Sequence, residues 1–244
     1  MDLSHFSVLE ERLGHVFRDR SLLLQAITHR SYLNEHSDVT HEHNERLELL
    51  GDAVLEMVVT EHLYKTYSDP EGVLTNWRAA LVNAKTLASI SRDLQFEEFL
   101  LLSKGEARDK DSKARMYILA NAIEALIGAI YLDAGMEAAD RFIKAYILSH
   151  LPHIIEHELY VDAKSKLQET SQEMLGVTPT YKVLAEEGPD HQKEFLVGVY
   201  LDKELVAEGK GMSKQEAQLV AAQAALQKKG WYTKGGVANP PALR

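Results

Sequence analysis

Apolar residues recur at three- and four-residue spacing through most of the first 158 positions, in the runs Leu3 to Leu13, Leu22 to Ile27, His43 to Tyr67, Leu74 to Ile90 and Met116 to Leu148. That period belongs to helices with one face against a core, so this part of the chain is predicted to be almost entirely α. Ser103 to Arg115 interrupts the pattern: it is charged, carries Gly105 and has no apolar side chain larger than alanine, and is expected to form a mobile surface loop. After Leu151-Pro152 the pattern changes. Lys164 to Leu175 is helical and stops at Gly176; Tyr181, Val183 and Ala185 alternate, as do Phe195, Val197, Val199 and Leu201; and Leu205 to Ala207 follows a tight Asp202-Lys203 turn. Ser213 is a good N-cap for a last, alanine-rich helix through Lys229. The order is helix, three strands, helix.

The 244 residues favour two domains, and the change of period sets their limits: 1–155 all-α, 156–160 a linker, 161–231 an α-β-β-β-α module, and 232–244 a flexible tail. With no cysteine, disulfides, thiolate metal sites and a cysteine nucleophile are all excluded. Met116 to Leu132 contains Glu124 and falls short of a bilayer span, and the N-terminus lacks a basic segment followed by an apolar run. A cytoplasmic protein with no membrane partner is expected. The net charge of −10 argues against broad electrostatic capture of polyanions, but residues 1–159 carry 16 basic and 26 acidic side chains whereas residues 160–232 carry 9 and 11. The acidity therefore belongs to the first domain.

Two features of that domain bear on chemistry. Glu45, Glu48 and Asp52 are spaced i, i+3 and i+7, which puts them within about 60° of one another on a helix of about 3.6 residues per turn. Leu47, Leu50, Val54 and Val58 occupy the other side. A solvated acidic stripe is the plain reading of that segment. Glu124 is different, being the only charge in MYILANAIEALIGAIYL, a helix apolar on nearly every side. A buried carboxylate is costly unless paired, protonated or bound to a metal. It either pairs with an arginine such as Arg46 or faces Glu48 and Asp52 and helps hold divalent cations. Asn121, one turn earlier, adds an amide oxygen. Oxygen-only donors favour Mg²⁺, with Mn²⁺ as a substitute, and such ions suit phosphoryl chemistry. A di-iron bundle is excluded because no Glu-x-x-His pair occurs among the 11 histidines. His41 and His43, which flank Glu42, read as solvated loop histidines, and Trp77 and Met57 as core or subunit contacts.

HNERLELLGDAVLE at 43–56 resembles the signature of the ribonuclease III family. DRSLLLQAITHRSYLNE (19–35), PEGVLTNWRAALVNAKTLA (70–88), LLLSKGEARD (100–109) and ILANAIEALIGAIYLDAG (118–135) resemble successive blocks of its nuclease domain, in order. The resemblance implies an all-helical endonuclease domain that forms a homodimer, one metal-dependent site per subunit, and hydrolysis of double-stranded RNA by a metal-activated water. It implies 5′-phosphate and 3′-hydroxyl ends with short 3′ overhangs, and ribosomal RNA precursors and some messenger RNAs as substrates. By the same carry-over, Glu48, Asp52, Asn121 and Glu124 are the metal positions, Asp52 and Glu124 the catalytic ones, and Glu45 and Glu71 substrate or subunit contacts in the cleft. Asn121 stands where the family commonly has aspartate, so the site has one less negative charge. Weaker metal binding, a preference for Mn²⁺ or reduced turnover are the consequences this implies, and the alternative reading is a non-catalytic protein that binds double-stranded RNA on a retained nuclease fold.

The second module resembles the double-stranded RNA-binding domain, which reads A-form shape across two minor grooves. The resemblance implies three contact patches: Lys166, Gln168 and Glu169 on the first helix; the loop with Pro189, Asp190 and His191; and Lys210, Ser213, Lys214 and Gln215 around the start of the last helix. Gln215 replaces a common lysine, which implies fewer ionic contacts.

Overall fold

A computed structural model describes residues 3–157, 160, 162–189 and 193–231. The chain divides into two compact units, one ending at Ile154 and the other beginning at Ile155. The expected tail at 232–244 and part of the expected linker lie outside the described residues.

The first unit is helical throughout. Its helices are α1 (Leu3–Leu13), α2 (Arg20–Ile27), α3 (Arg30–Glu35), α4 (Glu45–Thr66), α5 (Glu71–Val82), α6 (Ala84–Asp93), α7 (Lys104–Arg108), α8 (Lys113–Ala134), α9 (Met136–Tyr146) and α10 (Leu151–Glu156). Short 3₁₀ turns at Phe96–Phe99 and Leu148–His150 complete the unit. Helix α8 is long and apolar enough to cross a membrane, but it is instead the core helix of this unit, packed by α2, α4, α6 and α9.

Two of the periodic runs divide into separate helices, and one expectation, the loop, is corrected. The run from Met116 to Leu148 is broken at Gly135, whose φ of +81° is available to glycine at little cost. The run from Leu74 to Ile90 is broken at Asn83, which ends α5 and caps α6 by accepting a hydrogen bond from Thr86 N at 2.9 Å. Periodicity carries across both breaks because the flanking helices bury faces in the same core. The segment from Ser103 to Arg115 holds α7 and the first turn of α8, and it ends on a buried Arg115. Its serines are caps: Ser103 accepts from Glu106 N at 3.3 Å and Ser112 from Arg115 N at 3.0 Å.

The deciding contact is the crossing of α4 and α8. A Cβ built on Gly51 would lie 1.7 Å from the backbone oxygen of Glu124, and one on Gly128 would lie 2.3 Å from the backbone oxygen of Leu47. The two backbones meet with no side chain between them. Leu47, Val54, Leu55, Val58 and Val59 of α4 close the apolar contact around the crossing. Leu50, expected in the core, is only half-buried.

The second unit contains α11 (Ala163–Leu175), β1 (Thr180–Glu187), β2 (Glu194–Leu201), β3 (Glu204–Gly211) and α12 (Lys214–Lys228). The sheet is antiparallel in the order β1-β2-β3, and α12 packs on β2, β3 and α11. Leu167, Val199, Val206, Ala221, Ala225 and Leu226 form its core. Gly209 and Gly211 bring β3 against the α12 backbone.

Gly51→Ala and Gly128→Ala should each cost about 3 kcal/mol or more, since the new methyl meets backbone that cannot rotate away. Gly72→Ala in α5, where a Cβ has nothing within 4 Å, should be neutral or stabilising. Urea unfolding of the three variants checks this, and a Gly51→Ala protein as stable as wild type would refute the backbone contact.

Candidate active site and nucleic-acid interface

Glu48 and Asp52 flank Gly51 on α4, and Asn121 and Glu124 precede Gly128 on α8, so the glycine crossing carries all four toward one another. Burial, then Asp52, then Glu48 push the Glu124 carboxyl up to about 8. Glu48 is raised by burial first and by the charges of Glu45 and Asp52, while a hydrogen bond from the Asn121 amide acts in the opposite direction. Every one of these electrostatic links joins α4 to α8 or runs along α4. The acids at 48, 52 and 124 therefore share one field. Among the described residues no three Asp, Glu or His side chains converge tightly enough to grip an ion as they stand.

The cations nearby are committed elsewhere. Arg46, one of the two partners the sequence offers Glu124, is exposed and bonds Glu42 at 3.1 Å. That pairing reading is withdrawn, because Arg46 stands on the solvent side of α4. Arg30 holds Glu45 at 3.3 Å, Arg78 holds Glu56 at 2.9 Å and Arg115 approaches Glu97 at 3.6 Å. Glu45 thus stands at the edge of the acidic group, coupled to Glu48 and tied to Arg30. Glu71 lies in the first turn of α5, where its carboxylate accepts a hydrogen bond from Thr75 Oγ1 at 3.0 Å.

The N-terminal end of α4 is fixed by Asn44, which is buried and donates its amide to Ala26 O at 3.2 Å, while its backbone N–H reaches Thr28 O at 2.9 Å. His41 bonds Thr28 Oγ1 at 3.0 Å, so it supports the turn before α4 instead of standing in solvent. His29 is lowered, first by burial, and senses Glu106, Glu45, Arg30 and His43. Trp77 is buried and Met57 is 61% exposed. Sequence reasoning overlooked Gly51 and the exposed apolar side chains along α4, where Leu49 is 76% and Tyr64 80% exposed. The signal for Gly51 was present, since a glycine inside a helix is unfavourable without a packing reason.

In the second unit Gln168 and Glu169 are exposed and Lys166 is half-buried on α11. Gly188 has a φ of +95° and, with Pro189, is exposed after β1. Asp190 and His191 lie outside the described residues. Ser213 caps α12 by accepting from Glu216 N at 3.1 Å, and Gln215 is exposed beside it. Lys210 and Lys214 are also exposed, and each is ion-paired within the unit, to Glu194 at 3.3 Å and to Glu186 at 3.0 Å.

Because the folded carboxyl of Glu124 titrates above its ordinary value, this group favours the fold at low pH, and its contribution is lost as pH rises from about 4.5 toward 8. With chelator present, the melting temperature should therefore fall between those pH values. The Glu124→Gln protein should show a flatter profile, and parallel profiles would refute the buried-acid assignment.

The family described as Ribonuclease-III-like matches residues 19–151, and the double-stranded RNA binding motif matches residues 163–229. "Ribonuclease 3" of Carboxydothermus hydrogenoformans is 44% identical over 229 residues, covering 93% of this chain and 97% of that protein. "Ribonuclease 3" of Bdellovibrio bacteriovorus is 43% identical over 223 residues, covering 91% and 94%. A solved structure of the nuclease domain of ribonuclease III from Campylobacter jejuni, described in terms of structural flexibility in a region involved in dimer formation, matches with a TM-score of 0.51 at 41% identity, covering 59% of this chain and 96% of that one. With both of its units matched in order and relatives aligned over nearly its whole length, the chain belongs to the ribonuclease III family.

Proposed function

We propose that this protein, an endoribonuclease of a divalent-metal-dependent family that acts on double-stranded RNA, cleaves at the acidic group formed where α4 and α8 cross. The observation that carries the reading is the close backbone crossing at Gly51 and Gly128, which brings the buried Glu124 of α8 into one field with Glu48 and Asp52 of α4. The donor set fits a hard cation: carboxylate oxygens of Glu48, Asp52 and Glu124, and an amide oxygen at Asn121. Mg²⁺ is the ion assigned, with Mn²⁺ as a substitute. When bound, such an ion polarises a phosphodiester, activates water and stabilises the leaving oxygen.

Each residue has a separate task. Glu124 would hold the cation as a carboxylate, so occupancy of the site would be linked to pH. Asp52 is exposed enough to meet the scissile phosphate, and Glu48 ties the pocket to α8. Asn121 orients Glu48 through its amide N–H and leaves its Oδ1 as the neutral oxygen of the set. Glu45 and Glu71 are assigned to substrate or subunit contacts at the rim. Water attacks phosphorus and the 3′ oxygen leaves, which yields 5′-phosphate and 3′-hydroxyl ends.

The second unit presents double-stranded RNA to this site through Lys166, Gln168 and Glu169, through Pro189, Asp190 and His191, and through Lys210, Ser213, Lys214 and Gln215. Exposed Leu49, Met57 and Tyr64 along α4 supply an apolar surface for a homodimer. Two sites in one dimer cut both strands and leave short 3′ overhangs. Structured ribosomal RNA precursors and some messenger RNAs in the cytoplasm are the assigned substrates. Asn121 keeps a second reading in view, that of a duplex-binding protein without turnover, and the cleavage assay separates the two.

Long duplex RNA with Mg²⁺ or Mn²⁺ should yield short fragments. Glu124→Gln should lower kcat by about a thousandfold or more while duplex binding persists in chelator. Unchanged cleavage by Glu124→Gln would overturn the site. Asn121→Asp should lower the Mg²⁺ concentration needed for half-maximal rate, and an unaltered metal requirement would count against a ligand role there. Leu49→Asp should shift the sedimentation coefficient toward that of a monomer.

A further inference from the structure

The lysines assigned to RNA phosphates are already engaged. Lys214 Nζ lies 3.0 Å from Glu186 Oε1 and sits over the Phe195 ring at 5.4 Å from its centroid. The other oxygen of the same carboxylate, Glu186 Oε2, is 3.4 Å from Lys193. Lys210 is held by Glu194 at 3.3 Å. At the positive end of α12, Glu216 accepts a hydrogen bond from Met212 N at 2.8 Å, which puts a third carboxylate where a phosphate would be drawn to the helix terminus. The lysine pairs hold Glu186 below the usual carboxylate range, so it is charged at neutral pH. A surface meant for a polyanion thus carries its own anions, in a module with 9 basic and 11 acidic residues over 160–232.

We propose that Glu186 is an affinity-setting residue that occupies Lys214 in the free protein as a stand-in for phosphate, so that duplex RNA must displace it to bind. The proposal rests on the RNA-binding reading of the second unit. Its physical basis is the geometry of Lys214, whose ammonium is shared between a carboxylate and a ring. When the carboxylate is displaced, the ring keeps the lysine in place for the incoming phosphate. An exposed ion pair is weak, so the competition moderates affinity without abolishing it. A lysine that is already neutralised also releases fewer counterions on binding, which flattens the salt dependence.

The test measures binding of the full-length protein, in EDTA, to a labelled RNA duplex of about 20 base pairs, longer than the ~16 that such a domain spans. Salt is varied from about 50 to 200 mM. Glu186→Gln should bind about two- to fivefold more tightly at the low end, the equivalent of one exposed ion pair. Its plot of log K against log salt should be steeper by up to about one unit. Glu187→Gln removes the same charge one position along the strand and should change both quantities less. In a Lys214→Gln background the gain from Glu186→Gln should vanish. The proposal is overturned if Glu186→Gln matches or weakens wild-type binding, or if its gain persists without Lys214. A wild-type protein that does not bind the duplex at all would instead overturn the RNA-binding reading on which the proposal rests.

Discussion

The contact between the α4 and α8 backbones at Gly51 and Gly128 positions everything else in the first unit. Helix axes normally stand about 8–10 Å apart because side chains separate them. At this crossing a Cβ would fall 1.7 Å from a carbonyl oxygen, so the axes approach as closely as the main chains allow. The consequence is chemical. Glu48 and Asp52 lie within one turn of Gly51, and Asn121 and Glu124 within two turns before Gly128, so a crossing this close brings them into one electrostatic field. Bulkier residues at the crossing would hold the acids apart and leave Glu124 buried without the neighbours that raise it further.

The two units handle charge in opposite ways. In the first, acids are gathered and the neighbouring arginines are directed to Glu42, Glu45, Glu56 and Glu97, which leaves the group at 48, 52 and 124 uncompensated by protein cations among the described residues. Uncompensated acids are mildly destabilising, and on the proposed reading a divalent cation would relieve that cost. In the second unit the lysines of the proposed RNA surface are paired to Glu186 and Glu194. One site stores repulsion and the other stores attraction already satisfied. On the proposed readings, both arrangements would make binding conditional on a ligand that exchanges charges and does not merely add one.

Much of this was legible in the chain. The change from three- and four-residue spacing to alternation marked the all-α unit and the α-β-β-β-α module, because burying one face of a helix or a strand leaves those periods in any sequence. Glu124 stood out because a lone charge in an apolar helix requires a reason. The capping serines at 103 and 112 were not read as caps, because a short charged segment looks the same whether it is helix or loop until its ends are anchored. The breaks at Asn83 and Gly135 were hidden for the converse reason, since both flanking helices face one core and the apolar count runs on through the turn.

Amino-acid order by itself determined the types of the long elements, the two-unit organisation, the absence of thiol chemistry and the presence of acids needing an explanation. These follow from periodicity and composition, which are local properties of the chain. Only the tertiary structure decided which acids share a field, and that Lys210 and Lys214 are paired to Glu194 on β2 and Glu186 on β1. Those partners are separated by up to some seventy residues in sequence, as Asp52 and Glu124 are. Electrostatic coupling depends on distance through space and on burial, neither of which is written in the spacing of residues along one helix.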